Sequence, residues 1–562
     1  MSRYRQTWPL DDPIREDGDN GFMGFNSREN PETLPPGILT ASQNMRFDRG
    51  TAQVRKGLDK QTSAIDWGTV LPPLKLSFVL DTDAILGGTG GIRGSDTLID
   101  SSGRQYIALI QHDKLSLFQD GATTLFDVTY PVGEYVNANT YPLILQCLGS
   151  LFLFRGRTSS VMVKTDTGGL NFTASLTLPF TLPSVLGAGL DFSITSGANV
   201  PGSEVALAFR DRLVVVKDDY TIAFSDLLDP LTFDVSNEFY FNKGDQDPLQ
   251  SIAPFSENQI IVFKRRSIHL ITNVDLVDAS GVMQSSVYEI TRQHGLAARD
   301  SVAQVGDQVF YLSDNGIHSM TTGIHATSGG STPVALLKVR NEPLSATIDP
   351  DIQNINFEAA EKEAQGIYYN NRYYLAVPTG TSTRNNKIYV YNTLNKNFES
   401  IDTFPADTYI DDLAIMHKDG VARLYATSND GEVWLTEEKD AGDEVGNVGS
   451  EGTVTITGQI TSRRYTLQNM DIKRWHYGML NWESVSADSG LDVVVQTVNP
   501  DSSETVLTET KTSAEDFTKR FSLGRKRGYG LTLQLTTTAG RPIIRSIATS
   551  GRINLRSYVE TE

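Results

Sequence analysis

Short runs of apolar or alternating residues, each closed by an Asp, Asn or Gly turn, recur along most of the chain. Lys114–Phe118 runs into Gln-Asp-Gly, Arg212–Val216 into Lys-Asp-Asp, and residues 259–263 into Lys-Arg-Arg. Residues 308–312 precede Ser-Asp-Asn-Gly, Arg372–Val377 precedes Pro-Thr-Gly, 387–391 precede Asn-Thr-Leu-Asn-Lys, and 423–426 precede Thr-Ser-Asn-Asp-Gly. Val, Ile, Tyr and Phe suit a pleated, half-buried surface, and Asn-Gly or Asp-Gly supplies the positive φ of a hairpin turn. The pattern predicts antiparallel strands throughout. Helix is scarce, and the best candidate is residues 356–365, where glutamates alternate with alanines.

The strand units return at irregular spacings of about 40 to 60 residues, the scale of a four-stranded propeller blade. Ser313-Asp314-Asn315-Gly316 and the phrase from Ser428 to Trp434 each sit between two strands and read as equivalent hairpins of successive blades. The expected fold is all-β: an irregular β-propeller of five to seven blades with an extended N-terminal arm and a C-terminal antiparallel β-sandwich. Pro31, Pro35, Pro36 and Gly37 break any regular element early on, so residues 1–60 read as an extended arm or a first strand laid across other structure. Residues 61–436 read as the propeller with inserted loops. Residues 437–452, acidic and rich in glycine, have the chemistry of a linker. Residues 453–562 alternate cleanly, as a sandwich does.

With 562 residues, three to four ordinary domains or fewer large ones fit the length. No run approaches the roughly 20 apolar residues that span a bilayer, and the N-terminus lacks the apolar segment of a signal peptide. Synthesis and folding in a cytoplasm are expected. The single cysteine, Cys147, excludes an internal disulfide and a cysteine-based zinc site. A net charge of −19 argues against nonspecific nucleic-acid binding over the whole surface. It suits a protein kept soluble by its charge, and also a wall past which DNA slides without sticking. The acidity belongs to the first 450 residues, because the tail carries a slight excess of Lys and Arg.

Most candidate chemistry falls away. Gly87-Gly88-Thr89-Gly90-Gly91-Ile92-Arg93-Gly94 lacks both the Lys-Ser/Thr of a phosphate loop and a following helix. His269, His294, His318 and His325 lack the spacing of a helical metal pair. Ser225-Asp226 and Ser313-Asp314 are turn formers, and no Gly-x-Ser-x-Gly elbow is present. The acid pairs Asp245 with Asp247 and Asp411 with Asp412 are what chance gives in an acidic chain. Basic clusters stand at Lys264-Arg265-Arg266, Arg463-Arg464, Lys473-Arg474 and Arg525-Lys526-Arg527. Solvated turns are the default reading for them, contact with an acidic neighbouring subunit the next, and DNA the last. No catalytic, metal or cofactor residue is assigned, and the chain reads as a non-enzyme.

Several phrases in order resemble the tail nozzle, or distal tail-tube, proteins of short-tailed bacteriophages. They begin with Gly24-Phe25-Asn26, Leu34-Pro35-Pro36-Gly37, the stretch from Gln43 to Gly50, and Arg55-Lys56-Gly57. Arg212-Leu213, Ser225-Asp226 and Asp229-Pro230-Leu231-Thr232-Phe233 continue the series, as do the stretch from Ile260 to Ile268, Gly316-Ile317, and the stretches from Asn371 to Pro378 and from Asn386 to Tyr391. The resemblance covers most of residues 20–480 and only Thr461 to Tyr465 and Lys473-Arg474 of the sandwich. It implies a virion protein with no cofactor, forming a homohexameric ring below the tail adaptor, with tail fibres or a needle as further neighbours. Genomic DNA would pass through its channel without sequence-specific binding. The channel or gate residues stay unknown. The alternatives are a receptor- or glycan-binding propeller of a phage fibre or baseplate, and a propeller glycosidase.

Overall fold

The computed structural model describes residues 14–62 and most of 95–553, with 165–192 the longest stretch of the latter left out. Seven units of four antiparallel strands follow one another. The first runs from Ser95–Ile99 to Phe126–Thr129, the second from Leu143–Cys147 to Ser193–Ile194, and the third from Ala206–Phe209 to Asp229–Tyr240. The fourth runs from Leu249–Ser256 to Ser286–Thr291, the fifth from Ala303–Val305 to Val334–Val339, and the sixth from Gln365–Tyr369 to Asn397–Thr403.

The seventh unit closes the circle. Its strands Asp412–Lys418, Val421–Thr427 and Val433–Lys439 come from late in the chain, and its outer strand, Gly57–Lys60, comes from near the start. Trp434 lies opposite Lys60, and Leu435 opposite Asp59. Asp412–Lys418 also meets Ser95–Ile99 of the first unit, which meets Leu143–Cys147 of the second. The fourth and fifth units join through Ile261, Phe263 and Ile268 against Val309, Tyr311 and Met320. Among the described residues the fold is therefore a β-propeller of seven blades, its ring closed by a strand from the other end of the chain.

The second strand of a blade is packed on both faces, because each blade presses against a neighbour on either side. Arg212–Val216 and Arg372–Val377 are buried along their whole length, and Gln259–Lys264 and Gln308–Ser313 everywhere but their first residue. Near-continuous apolar runs result, as in any strand covered on both faces. Fully buried aromatics such as Tyr311, Tyr373, Tyr425 and Trp434 fill the spaces between blades, each burial contributing on the order of 2–3 kcal/mol.

The C-terminal sandwich is not built from residues 453–562 alone. One of its sheets joins Phe517–Ser522, Lys473–Glu483 and Ile543–Ile553 to Thr51–Val54, Met45–Asp48 and Arg15–Asp19 of the arm. The other joins Gln459–Thr461, Gly530–Ala539, Gly490–Asn499 and Ser502–Thr512 to Ala41–Gln43. Ala41–Gln43 pairs in turn with Asn397–Thr403, so this sheet runs unbroken into the sixth blade as nine strands. Trp475, Trp482, Val493 and Val495 share one apolar core with Phe310, Tyr373 and Leu375 of the fifth and sixth blades.

Two expectations change. In the stretch expected to be a linker, 437–452, Val433–Lys439 is a blade strand, and Asp443–Val445 pairs with Gly452–Val454 as a hairpin. Glu437 and Asp443 have the look of linker acids because their partners, Arg46 and Arg55, stand 391 and 388 residues earlier. The arm, expected over residues 1–60 as an extended piece or a first strand laid across other structure, supplies several strands, to both sheets of the sandwich and to the seventh blade. The helix expected at 356–365 is Phe357–Glu363, with the Asn356 side chain accepting from the Ala359 N–H at its start.

Candidate functional site

Where the arm passes between sandwich and propeller, Arg46, Arg55 and Lys60 are buried and paired. Arg46 makes two parallel hydrogen bonds to Asp402 of the sixth blade, at 3.0 and 2.6 Å, and its Nε donates to Glu437 of the seventh at 2.8 Å. Arg55 binds Asp443 the same way, at 2.8 and 2.6 Å, and donates to the Thr403 carbonyl at 3.0 Å. Lys60 pairs with Glu432. Arg372 of the sixth blade binds Glu399 at 2.7 Å and reaches Asp48 of the arm at 2.8 Å. Burial opposes the charge on Arg46, yet Asp402 and Glu437 hold its guanidinium well above the ordinary value. Burial likewise pushes the Asp402 carboxyl up, and Arg46 more than offsets it, leaving that carboxyl below the usual range.

The residues singled out from sequence mostly serve the scaffold. Cys147 is buried, and burial pushes its thiol up to about 12. Asp245 and Asp247 meet the basic cluster beside them: Lys264 binds Asp245 at 2.7 Å, while Asp247 accepts from the Arg266 N–H at 2.7 Å and the Ser267 hydroxyl at 2.6 Å. Arg265 pairs with Asp314, and Asp411 with Arg384. His294 and His318 stack with ring centres 4.4 Å apart, while His269 packs on Phe241 elsewhere. Among the described residues no three acids, histidines or cysteines gather as a metal site. Gly87 to Gly94 and the side chain of His325 lie outside the described residues. The phrases at Ser313 and Ser428 both fall between second and third strands, in the fifth and seventh blades, so their positions are equivalent but not successive.

The C-terminal basic clusters divide. Arg463 turns inward to Asp19 and Asp17, at 3.0 and 2.5 Å, and Lys473 is buried with its ammonium on the Tyr529 carbonyl at 2.7 Å. Arg474 stays on the surface, directly opposite Arg527 on one neighbouring strand and Arg552 on the other. Like charges directly opposite one another across a sheet are destabilising. Burial and then Arg552, Arg525 and Arg474 hold the neighbouring His476 below its ordinary value. Arg474, Arg525 and Arg527 have no ion-pair partner among the described residues. Met470, 93% exposed, precedes Arg474 in the chain, and Tyr529, also exposed, follows Arg527.

The third blade carries the opposite face. Its outer strand, Asp229–Tyr240, ends the blade with Asp229 and Asp234 exposed, and Asp211 lies in the adjoining turn. Asp229 and Asp234 accept from the N–H groups of Leu231 and Ser236, and neither meets a cation among the described residues. Leu227, Leu228 and Val235, the last 70% exposed, stand among them. In the sequence Asp229 is only part of a turn phrase, since the exposure of a strand edge is not written in its composition.

A cleft of about 530 Å³ opens between the fifth and sixth blades, lined by Phe310, Tyr368, Tyr391, Arg340, Glu342 and Lys396 among others. Sequence reasoning missed it, because its walls come from segments well separated along the chain.

No family model matches the chain, and no curated protein matches it. Among solved structures, it is similar to BBS1N in its crystal structure in complex with ARL6DN, at 13% identity and a TM-score of 0.33. That match covers 62% of this chain and 93% of the other. At that score it adds nothing to the architecture read from the sheets. Among the described residues no helix is long and apolar enough to cross a membrane.

Proposed function

We propose that the chain is a structural subunit of a short-tailed bacteriophage tail, one of a ring of copies that forms the nozzle retaining the DNA and conducting it at ejection. The observation that carries this reading is where the family-like phrases fall. The stretch from Gln43 to Gly50 holds Arg46, and Arg55-Lys56-Gly57 opens the strand that closes the propeller. The resemblance therefore rests on residues that lock the ring, which is what a rigid tail part needs. The tail adaptor is the expected neighbour above, with fibres or a needle beyond.

Antibody raised against the sandwich tests the assignment on purified virions by immunogold microscopy. Label at the tail tip is the expected result. Label along fibres, or none on the particle, would overturn it. The cleft between the fifth and sixth blades favours the second reading, a receptor- or glycan-binding propeller, because Phe310, Tyr368 and Tyr391 offer apolar faces beside charged groups.

A further inference from the structure

We infer that the arginine face of the sandwich docks on the acidic outer edge of the third blade of a second copy of this chain. This deepens the ring reading and rests on it only for closure into a ring. Three observations support it. First, exposed Arg474 lies directly opposite Arg527 on the neighbouring strand, a like-charge pair that an acidic partner would relieve. Second, Asp229 and Asp234 are exposed on the outer strand of the third blade and meet no cation among the described residues, and Asp211 is exposed in the adjoining turn beside Arg210. Each face also carries exposed apolar side chains, Met470 and Tyr529 on one and Leu227, Leu228 and Val235 on the other. Third, the two faces lie far apart in one molecule. The arginine face belongs to the sandwich, whose other sheet continues the sixth blade, and the third blade is three places from the sixth around the ring in one direction and four in the other. Complementary faces on different parts of one subunit make a head-to-tail contact, which closes into a ring when the rotation fits.

Charge exchange tests the contact in the full chain by sedimentation velocity at physiological salt. Wild type is expected to associate with rising concentration. Arg474→Glu with Arg527→Glu, and separately Asp229→Lys with Asp234→Lys, should each weaken association at least tenfold. An equimolar mixture of the two variants should restore it, because the reversed faces of one variant meet the reversed faces of the other with opposite charges. A misfolded variant could not be rescued in this way. Association unchanged in both variants, or a mixture that stays apart, overturns the inference. Loss of double-stranded DNA retention by the arginine variant with self-association intact overturns it in favour of a nucleic-acid surface. Rings that still form on the adaptor with both variants would sink this contact while leaving the nozzle reading standing.

Discussion

Arg46→Ala is expected to lower the unfolding midpoint more than any other single truncation in the arm. The side chain is buried and joins three parts of the molecule: the arm strand Met45–Asp48, Asp402 of the sixth blade and Glu437 of the seventh. Its removal leaves Asp402 buried without its main counter-charge, which costs about 3–5 kcal/mol. The effect has a pH signature. The Asp402 carboxyl is held below its usual range in the folded protein, so its contribution is present above the unfolded pKa of about 4 and is lost as pH falls through the folded value. The gap between wild type and Arg46→Ala should therefore be widest near neutrality and narrow in acid. Urea denaturation at several pH values reads it directly, and a gap constant with pH would contradict the assignment.

Gly57→Val should be comparably damaging for a different reason. A Cβ at Gly57 would overlap the backbone carbonyl of Gly442, and Gly442 itself sits at φ +138°. Neither backbone can retreat without moving the closing strand or the hairpin that holds Arg55 through Asp443. Overpacking of this kind costs about 1–3 kcal/mol, and more where the obstacle is backbone. The expected readout is rapid proteolysis at the seventh blade, around the closing strand and the Gly442 hairpin, together with a lowered midpoint. Combined with Arg46→Ala the loss should fall short of the sum, since both changes open the same seam. Wild-type resistance to protease would show that the arm strand does not close the ring.

The second strands of the blades are legible in the sequence because packing on both faces makes them almost wholly apolar, as in Arg372–Val377. First strands such as Gln365–Tyr369, half-buried throughout, carry no such signal. The closing strand Gly57–Lys60 reads as part of the arm because its partner, Val433–Lys439, stands at the far end of the propeller sequence. Residues 437–452 mislead for the same reason: Asp443 looks like linker until Arg55 is brought beside it. In the basic clusters adjacent residues part company, Lys473 into the interior and Arg474 to the surface, because successive side chains of a strand point to opposite faces. The charged faces emerge only when the sheets set Arg474 against Arg527 and Arg552.

Electron microscopy of the purified chain, alone and mixed with the tail adaptor of the same phage, tests the nozzle assignment most directly. Six-fold rings with a central hole, seated on the adaptor, are the expected result. Single particles that ignore the adaptor and bind host envelopes instead would contradict it.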